Sequence, residues 1–280
     1  NELIDKIESR YGLDQPVHVQ YWNWLKRVAQ GDMGYSFNHQ RDVTPLVWDR
    51  FKNTVLLMVV AVFLTWLLAL PMGIYCAVNQ FSWGDQFLSV LAFVGMSVPN
   101  FFFCFLLLYL ASLTGHWPLS GMTSINYDQL SFVGQMIDLG QHMLIPVVVI
   151  ATAAMARLQR ITRGNLLEVL RKQYVTMARA RGLPENRVIY VHALRNAINP
   201  LITLFGYQFT TLISGAALVE IIVSWPGMGS LMLSAVRSQD QFLVVGVVLA
   251  SGVLLIVGNL VADLLLTLVD PRISMREAQS

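Results

Sequence analysis

Gln173–Pro200 reads QYVTMARARGLPENRVIYVHALRNAINP, a basic stretch stranded between two long apolar runs. Gln173–Arg181 is expected to form a short helix, with Ala178 and Ala180 small enough to let another surface approach closely. Gly182 stands where that helix must stop, because glycine enters the left-handed conformation at little steric cost. Pro184 suits the first turn of a second helix, where no N–H is needed, and Asn199-Pro200 closes the element at the start of the next apolar run. Helix, tight turn, helix is a rigid unit that can seat in a cleft of a partner and carry its motion. The same stretch also reads as a cationic loop lying on anionic headgroups.

Outside this island the chain is apolar. Hydrophobic residues make up 55% and charged residues 13% of the 280 residues, with a mean hydropathy of +0.54. A soluble domain carries about a quarter charged residues, so the composition belongs in a bilayer. Asp, Glu, Lys and Arg are absent from Asn53–Gly84, Gln86–Tyr127 and Leu139–Ala156. Glu220 alone interrupts Asn196–Val236, and Asp263 alone interrupts Gln241–Val269. A crossing helix needs about 20 apolar residues, so five spans are expected near 54–78, 87–113, 142–164, 198–222 and 242–268. The runs are continuous rather than alternating, which favours helices over a barrel.

Lys and Arg set the orientation. Between Arg157 and Arg195 nine cations face only Glu168 and Glu185, a local charge of +7 in a chain whose total is +2. That loop is assigned to the cytoplasm. Alternation then puts 1–52, 114–141 and 223–241 outside, and 79–86 and 269–280 inside. The first 52 residues carry seven cations, balanced by seven acids. The expected division is an external segment over 1–52 and a membrane domain over 53–280, whose cytoplasmic loop occupies 166–196.

Catalytic and metal signatures are missing from the sequence. Cys76 and Cys104 fall inside spans without metal or disulfide spacing, and the five histidines show no HExxH or other paired spacing. There is no GxxxxGK[ST] and no GxSxG. Chemical catalysis, a resident cofactor, a metal site and a nucleic-acid partner are therefore not expected, and any nucleotide energy must come from another chain.

Thr176, Met177, Ala178 and Gly182, with ARARGLPENRVIYVHALRNAINP after them, resemble the Glu-Ala-Ala loop of binding-protein-dependent ABC importer permeases, in the dipeptide, oligopeptide and nickel branch. Thr176 and Met177 depart from the Glu-Ala opening, so the Glu contact does not carry over. The likeness extends through Tyr11–Phe37, through Ser97–Phe101 (SVPNF), through Val219–Asp240 (VEIIVSWPGMGSLMLSAVRSQD) and through Asn259–Ile273 (NLVADLLLTLVDPRI). Four stretches in the right order relative to the spans make the resemblance specific.

The resemblance implies an all-α, polytopic permease fold with a core of six helices. Five spans with Asn1 outside match that core minus its first helix, and the chain begins without a Met; the expectation is that the first helix is absent from this chain. It implies ATPase coupling through Tyr174, Val175, Met177, Ala178, Arg179, Ala180, Gly182 and Leu183. It also implies a second, related permease, two cytoplasmic ATPase subunits holding ATP and Mg, an external substrate-binding protein, and a multi-pass location in the bacterial inner membrane. Peptides are the favoured cargo, with nickel, glutathione and other small solutes handled by the same pattern.

Several residues carry two readings each. Pro99-Asn100, after Ser97, implies a kink with freed carbonyls that either lines the translocation pathway or merely shapes the span. Trp225, Pro226, Gly227 and Met228 break a helix beside Glu220 and, with Arg237 and Asp240, form either an external gate or binding-protein contact, or an interfacial turn anchored by tryptophan. Asp263, four residues after Asn259, is a carboxylate in a span near its cytoplasmic end, where it can snorkel. Phe101, Phe102 and Phe103 read as packing or lipid-facing surface. Tyr21, Trp22 and Trp24 read as an interfacial belt or as the footing of a subdomain over the channel mouth. The competing class is an ion-gradient secondary transporter or channel, which calls for mid-span charges or repeated broken helices; neither is found here.

Overall fold

The computed structural model describes residues 15–269, apart from the side chains at 203, 206–215, 262–263 and 265–269. In chain order come α1 (Val17–Ala29), a hairpin of β1 (Tyr35–Ser36) and β2 (Arg41–Asp42), then α2 (Val43–Val78), α3 (Trp83–Ser97) and α4 (Asn100–Thr114). After one 3-10 turn at Tyr127–Gln129 follow α5 (Phe132–Leu170), α6 (Gln173–Ala180), α7 (Glu185–Arg187), a π-helical stretch Val188–Ala193, α8 (Leu194–Ile222), α9 (Met228–Arg237) and α10 (Gln241–Val269). The strands pair antiparallel, Tyr35 with Asp42 and Ser36 with Arg41.

Each expected span holds helix, but hydropathy did not mark where the helices end. α2 has 36 residues and α5 has 39, so at about 1.5 Å per residue both exceed the roughly 30 Å hydrocarbon core by several turns. α2 already begins at Val43, within the segment assigned to the exterior, and α5 runs on to Leu170. Hydropathy reports what dissolves in lipid, whereas the hydrogen-bond ladder continues until a cap or turn stops it.

The interval 87–113 is not one straight span. α3 and α4 meet at 105°, because Val98 (ψ 123°) and Pro99 (ψ 136°) are both extended. Proline's ring pushes the preceding residue out of the helical region. Pro71, Pro146 and Pro200 instead lie inside uninterrupted helices, each forfeiting one backbone bond. Pro200 therefore does not close the second helix of the basic loop, and that helix continues into the fourth span. Among the described residues α2, α5 and Gln241–Val261 are individually long and apolar enough to cross a membrane, and α3 with α4 qualifies as a bent pair.

The centre of the bundle is α2 packed along α5, with α8 against both α5 and α10. The main core joins Leu57, Met58 and Ala61 of α2 to Val149 and Ile150 of α5, Cys104 of α4, and Ala216, Val219 and Trp225 at the end of α8. A second cluster packs Val43 and Val47 against Leu231 and Ala235 of α9 and Leu243 of α10. Because this cluster includes the first turns of α2, the start of that helix is a packed element rather than a tether.

Candidate functional site

The basic element is built on a small apolar seat. Val175 and Ala178 of α6 are buried against Ala77 of α2, Leu166 and Val169 of α5, and Val188, Ala193 and Ala197 beyond the turn. The 3.6-residue period that buries those two side chains leaves Tyr174, Met177, Arg179 and Ala180 exposed on the other face. Gly182 has φ +78°, donates to the Arg179 carbonyl at 2.9 Å, and is followed by Leu183, which donates to the Ala178 carbonyl at 3.4 Å. That pair of bonds is a Schellman stop, with half-buried Leu183 folded back on the same cluster.

Two polar ties fix the outer face. Arg179 Nη2 donates to Glu185 Oε1 at 2.7 Å and Nε to both carboxylate oxygens at 3.2 Å. The guanidinium holds the Glu185 carboxyl below its usual range and is itself raised, so the pair is charged at neutral pH. Both side chains are substantially exposed, so the pair orients the turn more than it stabilises it. Asn196 Nδ2 donates to the Tyr174 hydroxyl at 2.9 Å, joining α6 to α8 just past the π-helical stretch.

At the other end of α2 a second polar cluster crosses three helices. Glu220 is fully buried; Thr54 donates to its Oε1 at 2.6 Å and the Gly229 N–H to its Oε2 at 2.7 Å. Thr54 Oγ1 also accepts from the Met228 N–H at 2.7 Å. Asn53 donates through Nδ2 to the Pro226 carbonyl, and its own carbonyl accepts from Trp225 Nε1 at 3.2 Å. Trp225, Gly227 and Met228 are buried and Pro226 half-buried, leaving Arg237 as the exposed member of the group named from sequence. Asp240 is also buried; it caps α10 through the Leu243 N–H and accepts from Ser36 of the hairpin at 2.6 Å. Trp225 thus packs in the core rather than anchoring an interfacial turn.

At the 105° break, Ser97 is exposed and donates to the Phe93 carbonyl, Pro99 is exposed, and Asn100 is half-buried. Phe101 and Phe102 are exposed and Phe103 is half-buried. Asn259 is exposed, while the Asp263 side chain and residues 270–273 lie outside the described residues.

Sequence reasoning missed the ion pair of Arg163 on α5 with Asp85 of α3. Nε and Nη2 donate to the two carboxylate oxygens, both at 2.8 Å. Asp85 also accepts from the Phe81 N–H and from Ser89. Its signal was a capping pattern, since Ser82 precedes Asp85 by three residues and accepts from its N–H. The partner 78 positions away had no local signature.

Ser124, Asp138 and His142 also meet, yet not as a hydrolytic triad. The Ser124 hydroxyl and N–H both donate to the Asp138 carboxylate, and His142 Nδ1 donates to the Asp138 main-chain carbonyl. The cluster ties the loop after α4 to α5 and aligns no base with the hydroxyl.

Comparison with known proteins agrees with this architecture. The profile for binding-protein-dependent transport system inner membrane components matches residues 69–275, and the profile for the N-terminal part of such components matches residues 1–58. This chain belongs to that family; it is a multi-pass transport subunit of the bacterial inner membrane. It is 39% identical over 271 residues to the oligopeptide transport system permease protein AppB of Bacillus subtilis (strain 168), covering 96% of this chain and 84% of AppB. Identity to the dipeptide transport system permease protein DppB of Escherichia coli (strain K12) is 37% over 287 residues, again 96% and 84%. Identity to the glutathione transport system permease protein GsiC of Salmonella typhimurium (strain LT2) is 33% over 272 residues, 97% and 84%. A chain of the MetNI methionine ABC transporter, solved in inward facing conformations, superposes with a TM-score of 0.64 at 14% identity over 80% of this chain and 96% of that one. This likeness shows the ABC importer permease fold.

Proposed function

We propose that this chain is the permease of an ATP-driven importer of di- and oligopeptides, coupled to its motor through α6 and the Gly182 turn. Its relatives AppB and DppB are named for oligopeptide and dipeptide transport, and GsiC for glutathione, itself a tripeptide. The observation that carries the mechanism is the two-faced α6. One side is locked into the bundle by Val175 and Ala178, and the other presents Tyr174, Met177, Arg179 and Ala180. A helix held this way moves with whatever it docks into and passes the displacement to α5 and α8. Two cytoplasmic ATPase subunits would hold ATP and Mg, and α6 with its turn would follow their closure. A second, related permease completes the pathway, an external binding protein delivers substrate, and lipid surrounds the exposed apolar faces. The Glu220 and Thr54 cluster keeps the outer ends of α2, α8 and α9 together while the inner ends move.

Orientation is testable directly. Single cysteines introduced at the exposed positions Asn38, Ser120 and Glu185 are read against buried Cys76 and Cys104. An impermeant thiol reagent applied to intact cells is expected to label the variants at 38 and 120 but not at 185. Labelling at 185 would reverse the orientation and remove the coupling assignment.

Reconstitution tests the assembly. The isolated chain in liposomes is expected neither to hydrolyse ATP nor to accumulate peptide, whereas adding the second permease, the ATPases and the loaded binding protein restores both. Uptake by the isolated chain driven by an ion gradient would replace the ABC reading with secondary transport.

A further inference from the structure

The inner angle of the α3–α4 break encloses a cavity of about 300 Å³, closed on one side by α5. Met72, Ala92, Gly95, Phe103 and Ala153 make its walls apolar. Ligand pockets run from roughly 300 to 1,000 Å³, so this one stands at the small end of that range. Three polar residues border it, of which Thr152 already donates its hydroxyl to the Val148 carbonyl at 2.6 Å. Gln159 is 1% exposed, and its Oε1 has no hydrogen-bond partner; a buried polar atom left in that state calls for an explanation. Asn100 opens α4, a 15-residue helix with no side-chain cap, whose first-turn N–H groups lack intrahelical acceptors.

We propose that this cavity is a side-chain pocket for peptide substrate, holding one aliphatic or aromatic side chain while the peptide main chain spans Gln159 and the start of α4. The three chemistries of the site match the three of one peptide residue. An apolar side chain fills the apolar volume, the adjoining N–H supplies the donor that Gln159 Oε1 lacks, and the carbonyl or terminal carboxylate meets the positive end of α4. A lipid acyl chain satisfies only the first of these, and leaves Gln159 and the α4 N–H groups unmatched. No charged residue lines the cavity, so it selects on apolar size and not on side-chain charge.

The pocket rests on the peptide-importer reading, and the test separates the two. Uptake is measured in proteoliposomes holding the full assembly, with the binding protein saturated by dialanine or by Ala-Phe, so that the permease step alone is compared. Ala153→Leu, which fills the cavity, is expected to lower the ratio of Ala-Phe to dialanine uptake about tenfold or more, the worth of a methylene or two in an apolar pocket. Phe103→Leu, which enlarges it, is expected to raise the ratio of Ala-Trp to dialanine uptake. Gln159→Leu is expected to slow uptake of both peptides alike and leave their ratio unchanged, and wild-type uptake of both removes the main-chain contact. An unchanged peptide ratio in both size variants overturns the pocket. If native mass spectrometry then shows lipid lost from Ala153→Leu, the occupant is an acyl chain instead. Failure of the wild-type assembly to carry either peptide refutes the importer reading itself, a result distinct from wild-type transport with unaltered selectivity.

Discussion

Gly182→Pro is expected to reduce ATP-coupled uptake at least tenfold in a chain that still inserts and assembles in normal amounts. Gly182 sits at φ +78°, and proline fixes φ near −65° while removing the N–H. The bond to the Arg179 carbonyl is lost and the Schellman stop cannot form, so α6 leaves its seat. The damage stays local, because a Cβ at 182 meets no atom within 4 Å and the spans are untouched. Uptake and binding-protein-stimulated ATPase activity are the readouts, and normal values for both would leave the basic loop as a topology signal only.

The proposed docking face calls for a different residue. Arg179 is engaged by Glu185 of its own turn, so reversing its charge disturbs the turn as well as any contact. Met177 is 58% exposed, and Met177→Glu puts an anion on the outward face without touching Val175 or Ala178. It should behave like Gly182→Pro in uptake. Behaviour like the wild type would place the ATPase contact elsewhere on the loop.

Gly229→Leu is expected to be the most destabilising single change at the opposite end. A Cβ there would lie 2.4 Å from Ala217 Cα, a backbone atom that cannot swing aside. Displacing α9 to relieve the clash also breaks the Gly229 bond to Glu220 and strands part of a buried carboxylate. Overpacking and an unsatisfied buried acceptor together cost about 3 kcal/mol or more. Thr54→Val probes the same cluster without a steric change, since it removes the hydroxyl that serves both Glu220 and the Met228 N–H. Each orphaned group costs about 1–3 kcal/mol, and Thr54→Ser should restore most of the loss. Thermal unfolding in detergent reads all three, and a wild-type melting temperature for Gly229→Leu would refute the close packing of α8 on α9.

The sequence by itself determined the bilayer as solvent, the five apolar intervals, the basic element and the glycine that ends α6. Those signals are local: a charge-free run is counted residue by residue, and a left-handed stop is a property of one position and its neighbours. It also located the break at Pro99, although not the 105° turn, because proline forbids a conformation to its neighbour without choosing the direction of the chain beyond it. Trp225 shows the limit most clearly. From sequence it was a tryptophan near an interface, and only the fold reveals that it is fully buried and bonded to Asn53.

Tertiary structure alone decided the partners. Thr54 meets Glu220 across 166 positions, and Asp85 meets Arg163 across 78. No periodicity links residues so far apart; they pair because packing α2, α3, α5 and α8 brings each carboxylate against a donor from a distant helix. The lengths of α2 and α5 were hidden for a related reason. Their outer turns are held by contacts with α9, α10 and the basic element rather than by lipid, so hydropathy falls while the helix continues.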